Sequence, residues 1–151
     1  MKNLILSAIA VFFFLQTNFA QTTRDHFFPR TAEAIVYGYY HELSQNPEGI
    51  SRSIHAGQVF TKYFDKDYVE WAGKGTQQQT FKPFKQFVEK VFTDLPDLQV
   101  YVEEIFASGD KVAVKIKLED KAANVLINYV SLYHVEGDKI TRRYAYSDGA
   151  F

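Results

Sequence analysis

The chain has 151 residues, 17% of them aromatic, with 17 basic and 18 acidic side chains for a formal net charge of −1. That length supports one domain with a real core, and the aromatic content excludes a disordered chain. A near-zero charge without a basic stripe points away from a nucleic-acid partner, and the lack of cysteine excludes thiol catalysis and a lipid-modified cysteine anchor.

Met1-Lys2-Asn3 is a short positive start, Leu4 to Leu15 is an unbroken run of apolar and small residues, and Gln16 to Ala20 is a polar end closing on a small residue. This pattern predicts a secretory signal peptide over 1–20, cleaved after Ala20. The apolar run is shorter than the roughly 20 residues that span a bilayer. The expected location is therefore periplasmic or secreted, with no membrane attachment after cleavage. Cleavage removes Lys2 alone among the charged residues, leaving 16 basic against 18 acidic side chains, a net −2. Residues 21–30 read as a polar leader and 31–151 as the domain.

Thr31 is a good N-cap, and Ile35, Val36, Tyr39, Tyr40 and Leu43 follow at helical spacing, which predicts a helix over 32–45. Asn46-Pro47-Glu48-Gly49 ends it. Residues 50–64 read as one broken helix or two short ones, with Gly57 as the interruption. Asp65-Lys66-Asp67 reads as a turn and Tyr68-Val69-Glu70-Trp71 as a short strand. Residues 72–80 have no periodicity, two glycines and three glutamines, and read as a loop.

Thr80 can cap a third helix, whose buried stripe is Phe81, Phe84, Phe87, Val88 and Val91. Pro83 sits in its first turn, where a missing N–H does no harm, and Pro96 stops it. Four strands joined by hairpins follow. Residues 98–107 are rich in Val, Ile, Tyr and Phe, which suit a pleated surface. Ser108-Gly109-Asp110 turns the chain, and Val112, Val114, Ile116 and Leu118 alternate with smaller or charged residues. Residues 119–124 turn it again. Val125 to Glu136 is a long strand, apolar on both faces and so expected to be covered on both; Gly137-Asp138 is a turn, and Lys139 to Tyr146 is the last strand. Helices first and an antiparallel meander second give an α+β fold, with the N-terminal helices packed on a strongly curved, mainly antiparallel sheet that closes into a cone.

The order of these pieces resembles the SnoaL-like branch of the nuclear-transport-factor-2-like superfamily, over roughly 31–148. Tyr39-Tyr40 with Leu43 and Asn46 is similar to the first helix and its exit. Asp67-Tyr68-Val69 with Trp71 is similar to the first strand, and Phe84, Phe87 and Phe92 before Pro96-Asp97-Leu98 to the third helix and its stop. Leu132 to Ile140 is similar to the final hairpin, and Asp148 falls where members often carry an acid. The resemblance implies the cone-shaped pocket and often a homodimer through the outer sheet face. It does not imply one activity, because members include cyclases, isomerases, hydrolases, dehydratases and proteins that only bind.

Ketosteroid isomerase chemistry needs a carboxylate base plus a tyrosine and a neutral acid at the enolate oxygen. Tyr40 resembles that tyrosine, but the base position holds Trp71 and the acid position Ser131, so that chemistry is rejected. For another acid–base reaction the candidate group is Tyr40, His134 and Asp148, with Glu104 a further polar group on the strands. An Asp in an apolar cavity has its pKa raised by desolvation and can act near neutral pH. Val130 and Leu132 lie beside His134 on a strand that can turn it inward. Tyr37, Trp71, Phe84, Asn128, Ser131 and Tyr146 are the candidate pocket lining. The four histidines show no zinc-ligand spacing, and there is no nucleophile elbow or phosphate loop, so no metal or cofactor is expected. The short 119–124 turn implies a shallow pocket or one filled by aromatic side chains, and the aromatic count favours a solid core over a ligand lining. The expected function is an exported domain that binds a small apolar or aromatic molecule in the cone. The alternatives are an acid–base enzyme of the cyclase, isomerase or hydratase kind, and a structural or interaction domain with a filled cone.

Overall fold

In the computed structural model, which describes residues 30–72 and 77–147, three helices pack on a six-stranded sheet. Helix α1 (Ala32–Ser44) starts where Thr31 caps it: the hydroxyl accepts from the Ala34 N–H at 3.2 Å. Its face of Ile35, Val36, Tyr39, Tyr40 and Leu43 is buried, as the spacing predicts. Helix α2 (Arg52–Tyr63) starts at Ser51, whose hydroxyl accepts from the Ile54 N–H at 3.4 Å. It runs unbroken through Gly57, contrary to the expected interruption. Gly57 is buried against Glu89 of the third helix, so a small residue is needed there for close approach of the two helices, not for a break.

Strand β1 (Phe64–Ala72) is longer than the four residues expected. Its register against the last strand shifts between Phe64 and Val69, so the expected turn at Asp65-Lys66-Asp67 is an irregularity inside the strand, where the Asp65 carboxylate accepts from the Asp67 N–H at 2.8 Å. The expected loop over 72–80 contains β2 (Gln77–Thr80), paired antiparallel with Val69–Ala72. Pairing on one side only leaves an edge strand free of the alternation that marks a half-buried one, which is why glutamines could hide it. Helix α3 (Phe81–Asp94) buries Phe84, Val88 and Phe92 at four-residue spacing; Thr80 precedes it without a side-chain cap bond.

The meander β3 (Gln99–Ser108), β4 (Lys111–Asp120), β5 (Val125–Glu136) and β6 (Lys139–Ser147) follows as expected. The sheet order is β2-β1-β6-β5-β4-β3. Every neighbouring pair is antiparallel except β1 and β6, which run parallel. The helices cover one face, α1 across β3 to β6 and α3 against β1. Tyr129, Ser131, Tyr133 and Val135 of β5 point to that inner face, since Ser131, Tyr133 and Val135 are buried at period two and Tyr129 packs against the same core. The opposite face of β5 is not covered: Leu126 is 63% and Val130 47% exposed. The expectation of two covered faces fails because the helices form one layer on one side of the sheet.

Candidate functional site

The cone is not filled. Between α1, α3 and the inner sheet face lies a cavity of about 180 Å³, lined by Tyr39, Tyr40 and Leu43 of α1, by Phe84, Phe87, Val88, Val91 and Phe92 of α3, by Leu95 and Leu98 after it, and by Val100, Leu118, Ile127, Tyr129 and Arg143 of the sheet. The solid core favoured by the aromatic count is therefore not what forms. Beside the cavity, Phe60 meets Tyr68 at 84° and Phe64 meets Tyr68 at 87° between ring planes, while the lining Phe84 and Phe87 stack at 22°. Edge-to-face and offset-stacked rings are the preferred geometries for such pairs.

One end of the cavity is polar. Arg143 is a register partner of Tyr133 on β5 and of Glu70 on β1, so all three side chains share the inner face. The guanidinium Nη1 donates to Glu70 Oε1 at 3.2 Å and Nε donates to the Ser131 hydroxyl at 2.9 Å. It also lies over the rings of Phe84 and Tyr129, both cavity-lining, at 5.3 and 5.2 Å. The Tyr68 hydroxyl donates to Glu70 Oε2 at 3.1 Å. Across the cavity the Tyr40 hydroxyl pairs with that of Tyr133 and stands 3.5 Å from that of Tyr129.

Burial decides the charge states. It pushes the Tyr40, Tyr129 and Tyr133 hydroxyls above the ordinary tyrosine value, Tyr40 well above, so near neutral pH they are hydrogen-bond donors and not bases. Burial also pushes the Glu70 carboxyl up, against the opposing pull of Arg143 and of its two hydrogen bonds. For Arg143 burial acts downward, but the acidic groups around it, Tyr133 and Glu70 foremost, raise it on balance, and it stays a cation. Among the described lining residues there is no carboxylate and no imidazole. No group of three or more His, Asp or Glu among the described residues is placed to hold a metal ion, and none of the described helices is long and apolar enough to cross a membrane.

Of the residues singled out in the sequence, Tyr40 and Phe84 line the cavity and Ser131 is buried behind it on Arg143. Tyr37 lies outside it, stacked on His41 beside a separate surface groove with Tyr101. His134 and Trp71 are on the outer sheet face, both against Tyr144, at 5.9 and 6.5 Å between ring centroids. Asn128 and Tyr146 alternate to the same outer face. The reason is the period of two: placing Ser131 and Tyr133 inward sends Asn128, Val130, Leu132 and His134 outward together. Glu104 is exposed, because the register shift between Val102 and Glu104 leaves both Glu103 and Glu104 beside Lys115, at 3.1 and 3.9 Å. Asp148 lies outside the described residues, as do residues 1–29 with the signal-peptide segment and most of the leader. Arg143, Glu70, Tyr129 and Tyr133 were not singled out in the sequence. The available signal was the series Tyr129, Ser131, Tyr133 at alternate positions of one strand, a stripe of hydroxyls on a face otherwise apolar.

The sequence matches the model of SnoaL-like polyketide cyclases over residues 51–150. No curated protein matches it detectably. Solved structures share the fold: an NTF2-like protein of unknown function from Cytophaga hutchinsonii (17% identity, 78% of this chain and 90% of that one, TM-score 0.57), a putative SnoaL-like polyketide cyclase from Jannaschia (16%, 80% and 89%, 0.60), and a putative ketosteroid isomerase from Kribbella flavida (17%, 80% and 79%, 0.61).

Proposed function

The chain belongs to the SnoaL-like polyketide cyclase family, and on that footing we propose that it is a binding protein for one small apolar or aromatic molecule held in the cone. The observation that carries this is the cavity itself, apolar over most of its wall and about 180 Å³ in volume. An apolar cavity of roughly 150 Å³ takes up benzene, so the size suits one aromatic ring with a short substituent and not a fused multi-ring polyketide. Titration with toluene and ethylbenzene, followed by ligand-observed NMR and by the rise in melting temperature, tests the reading. Saturable binding that Val91→Trp abolishes is the expected result. Failure of both probes to bind overturns it.

A second reading is an acid–base enzyme, favoured by the buried Tyr40 hydroxyl at the cavity wall. Its base would be Asp148. Turnover abolished by Asp148→Asn supports it; a cyclisable or enolisable substrate left unchanged by the wild-type protein counts against it.

The proposal extends to context. The sequence pattern of residues 1–20 supports export, tested by the N-terminal mass of the protein recovered from its host. The exposed apolar side chains on the outer sheet face, Phe106, Val130 and Tyr146 among them, support a homodimer through that face.

A further inference from the structure

The polar end of the cavity has more donors than acceptors. A guanidinium carries five N–H groups. Arg143 uses Nε–H on Ser131 and one Nη1–H on Glu70, which leaves three of the five without an acceptor among the described residues. The tyrosine trio has the same imbalance. Three hydroxyls supply three protons, but Tyr40 stands between Tyr133 and Tyr129 with only two contacts to satisfy, so one terminal proton has no acceptor within the trio. No fully buried side-chain nitrogen or oxygen lacks a partner among the described residues; Arg143 and Tyr129 line the cavity, where a ligand's acceptor can meet their spare protons.

The charge is already balanced. Arg143 faces Glu70 on the neighbouring strand, so an anionic ligand would bring a second, uncompensated negative charge into the cone. Burying such a charge without a counterion is strongly unfavourable. A hydroxyl ligand would add another donor to a surplus of donors.

Resting on the binding reading above, we infer that the ligand is an uncharged one-ring compound whose acceptor-only carbonyl oxygen, a ketone or aldehyde, is held by Arg143 and Tyr129. The pocket then rejects carboxylic acids in spite of its buried arginine, because Glu70 already occupies that cation.

Four probes of nearly one size test this on the purified protein: acetophenone, ethylbenzene, 1-phenylethanol and benzoate at neutral pH. Ethylbenzene is the most hydrophobic, so it binds best if donors play no part. The expected order has acetophenone at least about tenfold tighter than ethylbenzene, with benzoate weakest. The carbonyl stretch of bound acetophenone shifts to lower frequency, and Tyr129→Phe reverses part of that shift. Equal binding of acetophenone and ethylbenzene overturns the inference and leaves the apolar pocket standing. Benzoate as the tightest probe overturns the charge argument. If none of the four binds, the binding reading itself is wrong and the inference falls with it. The comparison among ligands needs no variant, so it stands even if Tyr129→Phe folds poorly.

Discussion

Arg143 and Glu70 are register partners on the two strands that run parallel, and their side chains meet at 3.2 Å with both nearly excluded from solvent. The pairing depends on an unusual feature of the sheet. The first and last of the described strands are brought side by side, so an acid from residue 70 neutralises a base from residue 143 beside the cavity. Removing one member of such a pair leaves a buried charge without its partner, which costs about 3–5 kcal/mol. Arg143→Met is expected to lower the unfolding free energy by that amount in urea titrations. Replacing both, Arg143→Met with Glu70→Leu, should recover much of the loss. A double variant no more stable than the worse single one would show that the pair is not what the site depends on.

The same carboxyl sets a pH dependence. Glu70 is raised above its ordinary 4.5 in the folded state. Above 4.5 the unfolded chain gives up this proton first, so the stability contributed by Glu70 is complete below 4.5 and is lost as pH rises through the raised value. Glu42 acts in the opposite sense. Burial pushes it up, but hydrogen bonds from Lys62 and Tyr63 bring it below 4.5, so its contribution is lost as pH falls; its side chain is 33% exposed and solvent screening keeps the effect small. Urea midpoints of Glu70→Gln are expected to lack the falling limb above pH 4.5 that the wild type shows. Parallel curves for the two proteins would refute the assignment.

The fold was legible because its signals are local. Thr31 as a cap, the apolar spacing of α1 and α3, and the alternation of Val112, Val114 and Ile116 each specify an element within a few residues. The site was less legible because it depends on pairing over long range. Ser131 and His134 are odd and even positions of one strand, and only the register against β4 and β6 decides which faces the cone. Val130 and Leu132 are as apolar as a core face, so the sequence offered two candidate inner faces and the outer one, with His134 on it, looked equally good. Glu70 and Arg143 are separated by 73 positions, and nothing in either neighbourhood announces the other.

That second apolar face has its own consequence. Phe106 is 67% and Tyr146 59% exposed on it, an arrangement that a second copy would cover in the proposed dimer. Phe106→Glu with Tyr146→Glu is expected to convert a dimer to a monomer in sedimentation velocity. Because both side chains are exposed in the protomer, the variant's own stability should move by no more than about 0.5 kcal/mol per site. A wild-type chain that sediments as a monomer at micromolar concentration would sink the dimer.

Arg52 ties together three segments that border the cavity. It is buried, lies 4.8 Å from the centre of the Phe92 ring, and donates to the carbonyl oxygens of Leu43, Gln45 and Leu98. Two of these carbonyls end α1 and need partners from outside the helix. The third opens the path into β3, and Leu43, Phe92 and Leu98 all line the cavity. A lysine has no planar fork to serve three acceptors. Arg52→Lys and Arg52→Met are therefore both expected to destabilise the domain, the second by about 3 kcal/mol, and to weaken ethylbenzene binding together with stability. Unchanged melting of Arg52→Lys would mean that a single charge suffices there.

Gly57 tests how closely α2 and α3 must approach. A Cβ built there falls 3.0 Å from Glu89 Cγ and 2.9 Å from its Cδ, and Glu89 is the partner of Lys85 one turn away. Inside a helix, Gly→Ala is otherwise favourable by about 1 kcal/mol. Two opposing effects are therefore separable. In the wild type, Gly57→Ala must displace Glu89 and break its ion pair, and the expected result is a net loss of about 1 kcal/mol. In a Glu89→Ala background the obstruction is gone, and the same substitution should stabilise by about 0.5–1 kcal/mol. Thermal melts of the four proteins complete the cycle. If Gly57→Ala stabilises equally in both backgrounds, the glycine is not there for helix contact.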